Sequence, residues 1–163
     1  MMKTIFKTFA FCMATVCSQW AVAAGYAVID LEKVVESSTY LKQQNDSLEL
    51  AIKPQTTKLQ QLSKELEGLS KSIQAKMGNV QQLSSQYQTK LNEFQSLQQS
   101  VQARVQSTIK NTNSVFDSRI KQVAEQLRQE NNLDFVLNKN AALAFDSKYD
   151  LTAKMIQKVN AIK

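Results

Sequence analysis

The chain has 163 residues, 43% of them hydrophobic, and a formal net charge of +6, which fits one domain without a large buried core. It holds only 3 glycines and 1 proline, where average usage of the two would give roughly twenty positions. Gly and Pro punctuate tight turns, so many-stranded sandwiches, collagenous chains and flexible linkers are excluded and a few very long helices are expected.

Lys3 and Lys7 make a positive start, Ile5 through Val16 is almost wholly apolar, and Ala21-Val22-Ala23-Ala24 supplies a small-x-small cleavage pattern. Residues 1–23 therefore read as a cleavable secretory signal peptide. A membrane anchor needs about 20 apolar residues, and Ser18 and Gln19 interrupt the run. Cys12, Cys17 and Trp20 all lie in this segment, and Val16 stands where a lipoprotein acceptor cysteine wants a small residue before it. Losing Lys3 and Lys7 with the leader takes the net charge from +6 to +4 and leaves a mature chain without Cys, Trp or His. Thiol redox chemistry, Cys or His metal sites and Ser-His or Cys-His nucleophile pairs are thereby excluded. No catalytic, cofactor-binding or metal residue is assigned. An exported protein without a disulfide is held by helix packing or by assembly.

Tyr26-Ala27-Val28-Ile29 is a short strand, and Asp30 is placed to cap a helix through Leu31 to Glu36. From Leu41 the apolar residues fall on a seven-residue repeat. Leu41, Leu48, Leu62 and Leu69 take one core position and Ile52, Leu59, Leu66, Ile73 and Val80 the other, with Gln55 and Lys76 as polar exceptions. A sustained heptad predicts a coiled-coil arm. Met77-Gly78-Asn79 is the reversal signal, with Gly78 suited to a left-handed terminus.

A second helix is predicted over about Val80 to Asn131. Leu83, Phe94, Val105, Phe116 and Leu127 recur every eleven residues, with Tyr87, Ile109 and Ile120 on a second row. Eleven-residue periods favour straight or right-handed winding and heptads left-handed winding, so imperfect packing between the arms is expected, with flexible outer parts. At 1.5 Å per residue the second arm is about 75 Å long and must project. Pro54 reads either as a tolerated kink facing solvent or as a hinge, and Gly68 is a second weak spot. Around the tip, Lys71, Lys76 and Lys90 are read as having no nearby acid, which predicts a mildly positive tip. Such a run is more often a solvated face than a lipid or phosphate site, and with Tyr87 alone for stacking no nucleic acid is expected.

Leu133 to Leu137, the turn Asn138-Lys139-Asn140 and Ala141 to Phe145 have the form of a β-hairpin. Leu151, Met155, Ile156 and Val159 then form the apolar side of a closing helix. Three short strands make no stable sheet alone. Exposed strand edges and heptad seams both ask for further copies of the chain, which predicts a homo-oligomer. The organisation is thus an α/β oligomerisation body from residues 24–40 and 132–163 around a helical hairpin arm over 41–131, its tip near 77–79. The candidate body residues are Val28, Ile29, Phe135, Val136, Leu137, Leu143 and Phe145; the candidate tip and hinge residues are Gly78, Pro54 and Gly68. Client-contacting residues are not assigned.

On these features the chain resembles the Skp/OmpH family of periplasmic chaperones. The resemblance rests on the leader followed by Ala27-Val28-Ile29-Asp30-Leu31-Glu32-Lys33-Val34, on the long Gln- and Lys-bearing hairpin, and on Asp134-Phe135-Val136-Leu137-Asn138 leading through Ala141-Ala142-Leu143-Ala144-Phe145 to Tyr149-Asp150-Leu151-Thr152. It implies a mainly α fold with a small β body and a trimeric jellyfish architecture, three arms surrounding a cavity that holds unfolded outer-membrane β-barrel proteins. It also implies a holdase without ATP or another cofactor, and release of client to the barrel-assembly machinery. Multivalent contact from three mobile arms would supply affinity without any strong single contact. These arms are richer in Gln and poorer in charge than the family's often basic ones, so no lipopolysaccharide site is carried over. A membrane or lipopolysaccharide surface is at most a weak partner.

The strongest rival is a structural or adaptor coiled coil of the cell envelope, which would leave aggregation of an unfolded barrel protein unchanged. An enzyme is a distant third, because the scattered carboxylates form no general acid–base pair by spacing.

Overall fold

The computed structural model describes residues 25–162. The leader assigned to residues 1–23, with Cys12, Cys17 and Trp20, lies outside them. The elements are strand β1 (Tyr26–Ile29), helix α1 (Leu31–Glu36), helices α2 (Thr39–Gln74) and α3 (Val80–Glu130), strand β2 (Phe135–Asn138) and helix α4 (Thr152–Ala161). The fold is mainly α with a small β body, as the sequence predicts. Among the described residues no helix is long and apolar enough to cross a membrane.

Each boundary has a local cause. Asp30 caps α1 by accepting from the Lys33 N–H at 3.2 Å, and Ser38 caps α2 by accepting from the Leu41 N–H at 3.2 Å. At the far end, Lys76 (φ 52°) and Gly78 (φ 70°) both adopt the left-handed conformation, and the Asn79 side chain then accepts from the Gln82 N–H to open α3. Asn132, with φ 50°, ends α3 where glycine is the commoner residue.

The strands differ from the expected hairpin. β1 and β2 pair in parallel, Tyr26 with Phe135 through Ile29 with Asn138, so the strand pairing joins the two ends of the described chain. Asn138-Lys139-Asn140 does not reverse a hairpin. Asn138 instead accepts from the Asn140 N–H and opens a single 3₁₀ turn over Lys139–Ala141, and Ala142 to Phe145 forms no strand. On its other side β1 bridges Asp150, with the Leu151 N–H donating to the Val28 carbonyl at 3.0 Å. β1 is therefore interior, and among the described residues β2 keeps a free edge.

One core ties the body to the roots of both arms. Ile29, Val34, Phe116, Val123, Leu127, Met155 and Val159 form a buried cluster drawn from β1, α1, α3 and α4. Burying such a side chain contributes about 1.5–3 kcal/mol, so the root is the best-anchored part of the hairpin. A polar joint completes it. The Asp30 N–H donates to Thr152 Oγ1 at 2.9 Å, and the Thr152 N–H donates to Asp150 Oδ1 at 2.8 Å.

Candidate interaction surfaces

Away from the root, two helices alone cannot bury a seam. Of α2, only Leu62 is buried; Leu41, Leu48, Ile52, Leu59, Leu66, Leu69 and Ile73 face α3 half-exposed. On α3 the eleven-residue row lies inward throughout, half-buried at Leu83, Phe94 and Val105 and buried at Phe116 and Leu127. Ile109, expected on the second inward row, is instead exposed. It borders a cleft of about 280 Å³ with Leu41, Leu48, Thr108, Thr112 and neighbouring amides. Gln55 occupies a heptad core position, and its Oε1 is buried without a partner among the described residues, a costly arrangement in a seam.

The segment around Pro54 is locally unusual. Helix α2 runs on through Pro54, which faces solvent, but the proline supplies no N–H to the preceding turn. The Lys53 carbonyl accepts hydroxyl bonds from Thr56 and Thr57, both at 2.9 Å. Gly68 lies in open space, with nothing within 4 Å of the position a Cβ would take.

The charge of the tip is lower than the sequence suggests. Lys90 bonds Glu65 across the hairpin, Lys71 pairs with Glu67 at 2.6 Å, and Lys58 meets Glu93 at 3.4 Å. The Lys90 bond, helped by Gln61, holds the Glu65 carboxyl below its usual value. Two of the three lysines read as lacking an acid thus have one: Lys71 finds Glu67 one turn back on its own helix, and antiparallel pairing brings Glu65 to Lys90. Lys76, Met77 and Val80 remain exposed at the tip.

The candidate body residues divide into two sets. Val28 and Ile29 are buried, and Val136 packs against the core from β2. Phe135 and Leu137 alternate with Val136 and face outward, Phe135 56% exposed, while Leu143 is fully exposed and Phe145 is half-buried. An outward apolar set beside a free strand edge is an interface signature. Val35 and Leu50, 48% and 69% exposed, are further outward apolar residues that the sequence reading omitted. Leu50 falls between the two heptad rows, which would have flagged it.

The chain matches the family model described as outer membrane protein (OmpH-like) over residues 25–159. It belongs to the OmpH-like family. Among solved structures, it is similar to a candidate outer membrane chaperone (OmpH-like) from Caulobacter crescentus, with a TM-score of 0.62, 20% identity and 85% of each chain covered. No curated protein matches significantly in a direct sequence search. The OmpH-like match takes in both strands, the whole arm and most of α4. The hairpin and the small body are therefore family features rather than peculiarities of this sequence.

Proposed function

We propose that this OmpH-like chain is an ATP-independent periplasmic holdase, exported through its cleavable leader, that prevents aggregation of unfolded outer-membrane β-barrel proteins. The observation that carries the reading is the half-exposed apolar seam along a 51-residue helix, α3, that projects from a small anchored root. Such a surface offers many weak apolar contacts separated by Gln and Ser, which suits clients without a common sequence. The solved relative's description as a candidate outer membrane chaperone supports the same role.

Assembly supplies the container. Phe135, Leu137 and Leu143 face outward beside the free edge of β2, and Ala142 to Phe145 forms no strand within its own chain. Further copies would cover these residues and pair these segments, forming the body from residues 24–40 and 132–163. The family resemblance implies three copies, with arms around a central cavity. Weak contacts repeated on three arms then add to a useful affinity. No step of this reading needs an enzyme activity or a cofactor.

The test is to mix the mature chain with a urea-denatured outer-membrane barrel protein and measure the mass of the soluble species by light scattering after gel filtration. Three copies of the chain eluting with one barrel chain support the proposal. A monomer eluting apart from precipitated barrel protein contradicts it and favours an adaptor coiled coil.

A further inference from the structure

Gly25, the first described residue, is held by three hydrogen bonds to two consecutive residues. Its N–H donates to Asp134 Oδ2 at 2.9 Å, and its carbonyl accepts from the Asp134 N–H at 2.7 Å and the Phe135 N–H at 3.2 Å. The place also fits glycine closely, since a Cβ there would meet the Asn132 carbonyl oxygen at 3.1 Å. The small-x-small run Ala21-Val22-Ala23-Ala24 ends against this residue.

Hydrolysis after Ala23 or Ala24 adds the hydroxyl of water to the upstream carbonyl carbon and its proton to the downstream nitrogen. The nitrogen becomes an amine that is largely protonated at neutral pH, because α-amino groups titrate at about 8. We infer that Asp134 is the receptor for the ammonium group created by leader removal. A cut after Ala24 makes the Gly25 nitrogen itself the cation, and a cut after Ala23 places it one residue away. The uncut chain offers Asp134 only a neutral amide. A cut after Ala24 therefore converts the observed Gly25–Asp134 hydrogen bond into a charge-assisted one, and the β1–β2 end of the body gains an ion pair only once the leader is gone. The inference rests on the export reading above.

The other charged groups leave room for this role. Arg128, on α3, donates to the Leu133 carbonyl at 3.3 Å and feels the charge of Asp134, but its two shorter bonds, at 2.9 and 2.7 Å, go to Glu125. Lys148 lies 4.9 Å over Tyr149, whose ring stacks on Tyr26. Asp134 is the carboxylate that bonds Gly25.

The protein exported from the full chain tests it. Intact mass identifies the first residue, and NMR titration gives the pKa of the α-amine in the natural protein and in Asp134→Asn, which keeps an acceptor oxygen but loses the charge. The expected start is Ala24 or Gly25, with the amine pKa about half a unit lower in the variant. The melting-temperature difference between the two proteins at neutral pH should shrink when the amine is acetylated. A start elsewhere, an amine pKa equal in both proteins, or a difference indifferent to acetylation overturns the inference alone. A chain that still carries residues 1–23 overturns the export reading and this inference with it.

Discussion

Lys139, the residue after β2, donates from Nζ to Asp30 Oδ2 at 3.0 Å, and Asp30 is the residue that follows β1 and caps α1. One residue thus serves a helix cap and an ion pair through its carboxylate and, through its backbone N–H, the start of α4. The Lys139 bond and then the Lys33 N–H hold Asp30 below its ordinary value of 3.8. In the unfolded chain Asp30 titrates near that ordinary value, so its contribution is whole above it and is lost as pH falls toward the lower native value. Glu125 behaves alike: Arg128 first, then Gln129, lowers it from 4.5 to about 2, and its contribution disappears between those two values. Thermal melts by circular dichroism should show a midpoint that falls steadily below about pH 4.5. Asp30→Asn should melt lower at neutral pH and lose less on acidification. Parallel acid profiles for the two proteins would contradict the assignment.

Packing at the root predicts a sharp contrast between two leucines. Leu127 is fully buried among the core residues, and Leu50 stands exposed on the arm. Leu127→Ala should cost about 2–5 kcal/mol of stability, whereas Leu50→Ser should change it by less than about 0.5 kcal/mol. Urea denaturation at constant slope measures both.

The segment from Leu50 to Thr57 should open more readily than the rest of α2. Pro54 lacks a donor, Thr56 and Thr57 turn their hydroxyls back on Lys53, and Gln55 buries an oxygen that has no partner among the described residues. Hydrogen exchange should be fastest there within the arm, apart from the tip. Pro54→Ala should slow it by about tenfold or more, given the roughly 3 kcal/mol that an interior proline costs a helix. Gly68→Ala should stabilise the arm by up to about 1 kcal/mol, since the new methyl group meets nothing. Uniform protection from Leu48 through Leu62 would leave Pro54 as a tolerated kink.

Assembly should depend on the outward apolar set and not on the arms. Phe135→Ser with Leu143→Ser should yield a smaller species by light scattering with helix content little changed, because both side chains face away from the chain's own core. Loss of helix together with loss of assembly would show that these residues support the protomer fold itself.

The long-range order of the arms was legible because it follows from periodicity. Leu41 to Ile73 lies on one face by heptads, and Gly78 with Asn79 makes the turn. Features that join distant residues were not legible. Asn138-Lys139-Asn140 has the composition of a hairpin turn, yet β2 finds its partner 109 residues away in β1, a pairing that local turn chemistry does not encode. Lys90 reads as unpaired until the hairpin brings Glu65 to it. Ile109 keeps the eleven-residue spacing but is left 48% exposed, bordering a cleft in which Gln44 and Asn45 of α2 stand between Leu41 and Leu48. Asp30 was read correctly as a cap, but its bond to Lys139 depends on the parallel register. The outward set Phe135 and Leu137 follows from strand alternation once β2 is placed with Val136 inward.

The central claim is suppression of client aggregation by the assembled arms without nucleotide. The most direct measurement is light scattering from a urea-denatured outer-membrane barrel protein diluted into buffer with and without the mature chain. Scattering should be largely abolished at about three chains per barrel, and a Phe135→Ser, Leu143→Ser protein should protect poorly. Unchanged scattering with the natural chain in excess would contradict the account.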